Sequence, residues 1–210
     1  IRQNKKSYDS KKIIENMTDT LKSRGPDDKG IWIDKKNNIF FGHRRLSIID
    51  LSHLGKQPMI SHNKRLVIIF NGEIYNYEEI RSKLTSKGII FKTNGDAEVL
   101  LNGFAYFGIE IFNKIRGFYS VCIYDTYEET FTLARDYFGK KPLYFINTGK
   151  EFLFGSEIKT LLRSLSKRPD INFESISHYL WKGYYVNGDS AFSGINSLLA
   201  GQILKINLKN

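Results

Sequence analysis

With 210 residues, 41% hydrophobic and 26% charged, the chain has material for one good-sized domain core, and it lacks the roughly 18 uninterrupted apolar residues that a bilayer span requires. The single cysteine, Cys122, excludes an internal disulfide and a thiolate-rich zinc site, and His43, His53, His62 and His178 are too scattered to pair as ligands, so no cofactor or metal is expected in this segment. The net charge of +10 comes from short pairs such as Lys5-Lys6, Lys11-Lys12, Lys35-Lys36 and Lys140-Lys141, with no block or stripe that would favour nucleic acid. The polar opening, residues 1–12, has no apolar signal core, and a cytoplasmic location is expected.

Along the chain, Ile13, Met17 and Leu21 recur at helical spacing and predict a helix over 9–23, capped by Asp9 or Ser10 and stopped by Gly25-Pro26. Short β-like runs follow at 31–33, 39–41, 46–51 and 66–70, the last broken by Asn71-Gly72. Helices are expected over 77–86 and 96–107, then strands at 118–124, 131–134, 143–146 and 152–154. Two more helices, at 158–165 and 173–181, precede a late strand at 202–208. Many strands with few helical crossovers predict an α+β fold. The charged stretch 166–170 divides a body, residues 1–165, from a C-terminal part of the same domain, residues 166–210.

Four segments are more polar than a plain strand or helix requires. Taken singly, each has a local explanation. Arg24-Gly25-Pro26-Asp27 serves as a helix-stop turn, and Arg44-Arg45 before Leu46-Ser47-Ile48-Ile49 suits an edge strand with snorkelling arginines. Gly95-Asp96-Ala97-Glu98 suits a helix start, with Asp96 or Asn94 as N-cap. Phe70-Asn71-Gly72-Glu73 suits a tight turn, yet it also sets an amide side chain beside an unshielded backbone N–H. Such a donor pair can form an oxyanion hole for a tetrahedral acyl intermediate.

Together these strings resemble a family. Arg-Gly-Pro-Asp, Gly-His-Arg-Arg-Leu-Ser-Ile-Ile-Asp-Leu, Gly-Lys-Gln-Pro-Met (55–59), Phe-Asn-Gly-Glu-Ile-Tyr-Asn and Gly-Asp-Ala-Glu-Val-Leu are similar to the N-terminal domain of glutamine-hydrolysing asparagine synthetases. So are Ala-Arg-Asp-Tyr-Phe-Gly-Lys-Lys-Pro-Leu-Tyr (134–144) and Phe-Gly-Ser-Glu-Ile-Lys (154–159). The order is the family's, and Arg-Leu-Ser-Ile-Ile-Asp resembles its synthetase branch among the class II amidotransferases.

The resemblance implies an N-terminal-nucleophile hydrolase fold, a four-layer αββα sandwich of two antiparallel sheets between helical layers. It implies hydrolysis of L-glutamine by an N-terminal cysteine, with its own α-amino group as base, through a thioester. Ammonia would pass to a C-terminal synthetase domain that uses MgATP. Asn71 and Gly72 match the oxyanion donors. Arg45 matches the holder of the α-carboxylate, on a wall of Leu46, Ser47, Ile48 and Ile49, while Glu73 and Asp96 match the receivers of the α-ammonium. A fixed guanidinium and fixed carboxylates select the free zwitterion over peptide-bound glutamine. Arg24 and Asp27 match a supporting motif. A homodimer is a further expectation, since the family often pairs.

Two departures shape the expectation. The chain starts at Ile1 without a Cys-Gly-Ile opening, so it is expected to be inactive as written, with truncation the first explanation and natural loss of the cysteine the second. Cys122 sits in the apolar run 119–124 and reads as a core thiol. The family's Ser-Gly-Gly pyrophosphate loop is also missing, so no ATP binding is expected here. The alternative function is a cysteine-less module that binds glutamine or contacts a partner.

Overall fold

A computed structural model describes residues 7–209. The Lys5-Lys6 pair and the comparison of the opening with Cys-Gly-Ile fall outside the described residues.

The elements run α1 (Ser7–Asp19), β1 (Asp28–Asp34), β2 (Ile39–Arg45), β3 (Met59–Ile60), β4 (Leu66–Ile74), α2 (Tyr77–Thr85), α3 (Asp96–Phe107) and β5 (Gly117–Asp125). They continue as β6 (Thr130–Arg135), β7 (Tyr144–Asn147), β8 (Phe152–Gly155), α4 (Ile158–Leu162), α5 (Phe173–Lys182), β9 (Ile195–Ser197) and β10 (Ile203–Asn207). One sheet has the order β10-β6-β5-β4-β3; the others are β1-β2 and β8-β7-β9. Every strand pair is antiparallel.

Side-chain alternation along the strands sorts the core into three interfaces, as four layers require. Ile68, Phe70 and Ile74 of β4 face Ile80 and Leu84 of α2 and Leu100 of α3. On the opposite face of the same sheet, Val67, Cys122 and Leu133 meet Ile39 and Phe41 of β2. The third interface joins Met17 of α1 and Leu161 of α4 to Ile146, Leu153 and Ile195. Each fully buried side chain of this size contributes about 1.5–3 kcal/mol. The α+β, αββα sandwich is therefore present, with its second β layer built from two separately hydrogen-bonded pieces, β1-β2 and β8-β7-β9.

Several local expectations are corrected. The run 46–51 is irregular, because side chains take backbone groups that a strand would have paired. Asn71-Gly72 does not break its strand or form a turn; β4 continues to Ile74, with Asn71 opposite Ser120 and Gly72 opposite Tyr119. Helix α1 begins at Ser7, so neither Asp9 nor Ser10 stands at its N-cap. Gly95, not Asp96 or Asn94, occupies the N-cap of α3, since the Asp96 carboxylate is used elsewhere. Strands β3 and β9 were too short to leave a readable period. In the C-terminal part, β9 pairs with β7 and β10 with β6, completing sheets of the body. Among the described residues no helix is long and apolar enough to cross a membrane.

Candidate active site

The free edge of β4 sets the centre of the site. At its two ends, Arg65 O accepts from Thr126 N–H and Tyr75 N–H donates to Arg116 O, so odd-numbered residues direct their backbone groups toward β5. Even-numbered residues point to the other edge. There, Phe70 N–H donates to Gln57 Oε1 at 2.7 Å, and Ile74 N–H donates to Asp96 Oδ2 at 2.9 Å. Gly72 lies between them, and among the described residues its N–H meets no acceptor. Asn71 follows Val67 and Ile69 onto the inter-sheet face, so its amide and the Gly72 N–H open into the same cavity. Gly72 is needed here for close approach. It is not in the left-handed region, but a Cβ on it would stand 2.6 Å from Tyr119 Cα.

Period-two alternation also divides Arg44 from Arg45 at the end of β2. Arg44 turns toward α1 and pairs with Asp19 at 2.6 Å, while Arg45 turns the other way. The Arg45 guanidinium donates to the carbonyls of Ser52, at 2.8 Å, and Asp50. It thereby folds the loop back on itself, and Gly55 leaves the room: a Cβ there would stand 2.8 Å from Arg45 Cζ. Asp27 braces the same loop, donating its N–H to Arg45 O at 3.0 Å and accepting Ser47 N–H at 2.7 Å. Asp50 then ties the loop to the start of α3, accepting from Asn94 N–H at 3.1 Å. Hydrogen bonds from Ser52 and then Asn94, with the Arg45 charge, hold its carboxyl below the usual range. Arg81 fixes the same turn from behind, donating to Thr93 O and Gly95 O.

These elements enclose a cavity of about 500 Å³ running between the two β layers. Asn71, Gly72, Glu73 and Asp96 line it from one side, and Arg45, Leu46, Ile48 and Ile49 from the other. Ser47 does not line it; its backbone is held by Asp27. Burial raises the Asp96 carboxyl, opposed by N–H donors from Ile74 and the first turn of α3, with Glu73 pushing it further up. A guanidinium and two carboxylates thus border one cavity that also holds a pair of hydrogen-bond donors.

Sequence reading singled out neither Gln57 nor His43. Besides accepting from Phe70 N–H, Gln57 donates through Nε2 to Phe70 O at 3.2 Å, and His43 Nε2 meets the same oxygen at 3.1 Å. Burial lowers the His43 pKa to about 4, so the ring is neutral at pH 7 with Nε2 as donor. Its Nδ1 is buried without a partner among the described residues. The string Gly-Lys-Gln-Pro-Met held Gln57 in view, but nothing in it indicates that Phe70 lies opposite. Cys122 is 1% exposed, and burial pushes its thiol well above the ordinary value. Among the described residues no group of three or more His, Cys, Asp or Glu could hold a metal ion.

Comparison with known proteins adds three findings. A family model described as a glutamine amidotransferase domain matches residues 2–210. Asparagine synthetase [glutamine-hydrolyzing] 3 of Bacillus subtilis (strain 168) is 33% identical over 197 residues, 92% of this chain and 32% of the relative. A solved structure titled as the allosteric regulatory enzyme of purine biosynthesis superposes with a TM-score of 0.67 at 20% identity, covering 95% of this chain and 45% of the other, a likeness of fold alone. The chain spans about a third or less of the length of the first curated relatives it matches.

Proposed function

Since the chain belongs to the glutamine amidotransferase domain family, we propose that it is the glutaminase part of an asparagine-synthetase-like enzyme, taking free L-glutamine into the cavity between β2 and β4. The observation that carries this reading is the open Gly72 N–H beside Asn71, framed on the same strand edge by side-chain-capped Phe70 and Ile74. In this reading Asn71 and Gly72 stabilise the oxyanion of the tetrahedral intermediate. Arg45 receives the α-carboxylate with the donors it does not commit to Asp50 and Ser52, and Leu46, Ile48 and Ile49 wall the side chain. Glu73 and Asp96 receive the α-ammonium. Ser47 supports the wall through its backbone bond to Asp27.

The reaction needs a thiol. The sulfur of an N-terminal cysteine attacks the side-chain amide carbon, and its α-amino group takes the thiol proton and delivers it to the departing ammonia. Water then hydrolyses the thioester to glutamate and regenerates the thiol. Cys122 is unsuited to the role, being buried and held as the neutral thiol, and the 210 residues contain no other cysteine. The chain by itself is therefore proposed to be inactive. Its ammonia would serve an MgATP-dependent amidation in a C-terminal synthetase domain, in the cytoplasm.

The test is to place Cys-Gly-Ile before the chain and measure glutamate and ammonia released from glutamine. Hydrolysis that disappears on Asn71→Ala is expected; a folded protein with no hydrolysis overturns the reading. The state of Cys122 favours a second reading, a glutamine-binding module without chemistry. Calorimetric binding of glutamine by the chain as given, with no turnover by the extended one, would select it.

A further inference from the structure

The turn that launches α3 has its backbone groups taken by side chains. The Glu98 carboxylate, 8% exposed, accepts Lys92 N–H at 2.9 Å and Thr93 N–H at 2.7 Å. Asp50 and the Thr93 hydroxyl accept the next two N–H groups, those of Asn94 at 3.1 Å and Gly95 at 3.3 Å. From α2 the Arg81 guanidinium donates to Thr93 O at 2.9 Å and Gly95 O at 3.2 Å, with Cζ 4.4 Å from the centre of the Phe91 ring. An anion and a cation therefore grip the same short turn, one through its N–H groups and the other through its carbonyls. Charge-assisted bonds of this kind are roughly twice as strong as neutral ones.

Neither Arg81 nor Glu98 is among the described residues that line the cavity. Asp96 is. It opens α3 at the end of the gripped turn and accepts Ile74 N–H at 2.9 Å. Two positions on a helix differ by about 200°, so the carboxylates of Asp96 and Glu98 leave α3 on opposite sides. We propose that Arg81 and Glu98 are positioning residues for recognition of the substrate's α-ammonium group, acting through the turn that sets Asp96 at the cavity wall. The proposal rests on the glutaminase reading for the identity of the group at Asp96. An aspartate side chain is short, so its backbone decides where the carboxylate stands, and a binding group must be held to about 0.5 Å. A field acting at a distance would have a different signature. Removing the Arg81 cation would then strengthen the binding of an ammonium group, and removing the Glu98 anion would weaken it. Positioning predicts a loss from both.

Calorimetry on the 210-residue chain compares L-glutamine with glutaramate, the same molecule without its α-amino group. Arg81→Met and Glu98→Gln should each weaken glutamine binding about tenfold, and leave glutaramate binding within about twofold of the parent. Arg81→Lys keeps the cation but not the fork that spans two carbonyls, and should fall between. Equal losses for the two ligands overturn the proposal, because the residues would then hold the fold alone. Opposite effects of Arg81→Met and Glu98→Gln on glutamine overturn it as well, in favour of the field. A parent chain that binds neither ligand counts against the glutaminase reading, and hydrogen exchange at the Ile74 amide then decides the positioning. Exchange there should quicken about tenfold in both variants if Asp96 shifts, since opening frees the amide. An unchanged rate, or an increase shared by the amides of β5, overturns it.

Discussion

The side-chain amide of Gln57 takes both backbone groups of Phe70, accepting its N–H at 2.7 Å and donating to its carbonyl at 3.2 Å. Strand β3 pairs with β4 only at Val67 and Ile68, so the ladder on that edge stops two residues short of Phe70. Gln57 replaces the missing strand with one side chain, and His43 reinforces it at the same carbonyl. The peptide ahead of Asn71 is thereby held in register while the next even-numbered donor, Gly72, stays open.

Replacing Gln57 by Leu should therefore leave the buried Phe70 N–H unpaired, with His43 alone still at the carbonyl, costing about 1–3 kcal/mol for the unsatisfied group. Urea unfolding measures this directly. Gln57→Glu keeps an acceptor for Phe70 N–H but loses the donor, and should fall between. A Leu variant within about 0.5 kcal/mol of the parent, the range of ordinary surface changes, would show that the amide pairing is not structural.

Gly72→Ala should destabilise by about 1–3 kcal/mol, the usual cost of forced overpacking, because the added Cβ meets backbone atoms of Phe118 and Tyr119 on β5 that cannot rotate away. Thermal unfolding reads the loss, and glutamine affinity should fall with it. An alanine variant as stable as the parent would mean that β4 and β5 separate more readily than their pairing implies.

Arg45→Lys preserves the charge but removes the fork that reaches the carbonyls of Asp50 and Ser52 together. The loop carrying Leu46, Ile48 and Ile49 should loosen, and glutamine binding by calorimetry should weaken at least tenfold. Unchanged affinity would remove Arg45 from the carboxylate site.

Acid should expose His43. Burial holds its folded pKa near 4 against an ordinary 6.5, so the unfolded chain binds a proton first as pH falls. Its contribution is complete above pH 6.5 and is lost between 6.5 and about 4, on the order of 3 kcal/mol in all. Asp96, raised by burial, acts with the opposite sign, so the comparison is against His43→Gln in the same buffers. That variant should show a flatter fall of stability across the window. Parallel curves would mean that the imidazole is hydrated in the folded protein.

The legible part of the fold was its long-period pattern. Helices α2 and α3 and strands β5 and β6 lie within a residue of where apolar spacing put them. The loop 46–51 was misread as a strand because Leu-Ser-Ile-Ile-Asp-Leu has strand-like composition. Its backbone is claimed instead by Asp27, Arg45 and Asp50, side chains that composition cannot assign. Asn71-Gly72 was misread as a turn for the complementary reason. The dipeptide favours turns locally, yet pairing with Ser120 and Tyr119 holds it extended.

By itself the sequence determined the helical faces, the apolar alternation that builds three interfaces, and the motif residues that enter one cavity, since these depend on side-chain identity at short spacing. Only the tertiary structure decided which edge of β4 stays open, which arginine of the Arg44-Arg45 pair turns to the site, and that Gln57 and His43 stand behind it. Those outcomes are hydrogen bonds across 13 to 27 positions of chain, and such partners are chosen by how layers pack rather than by any local preference.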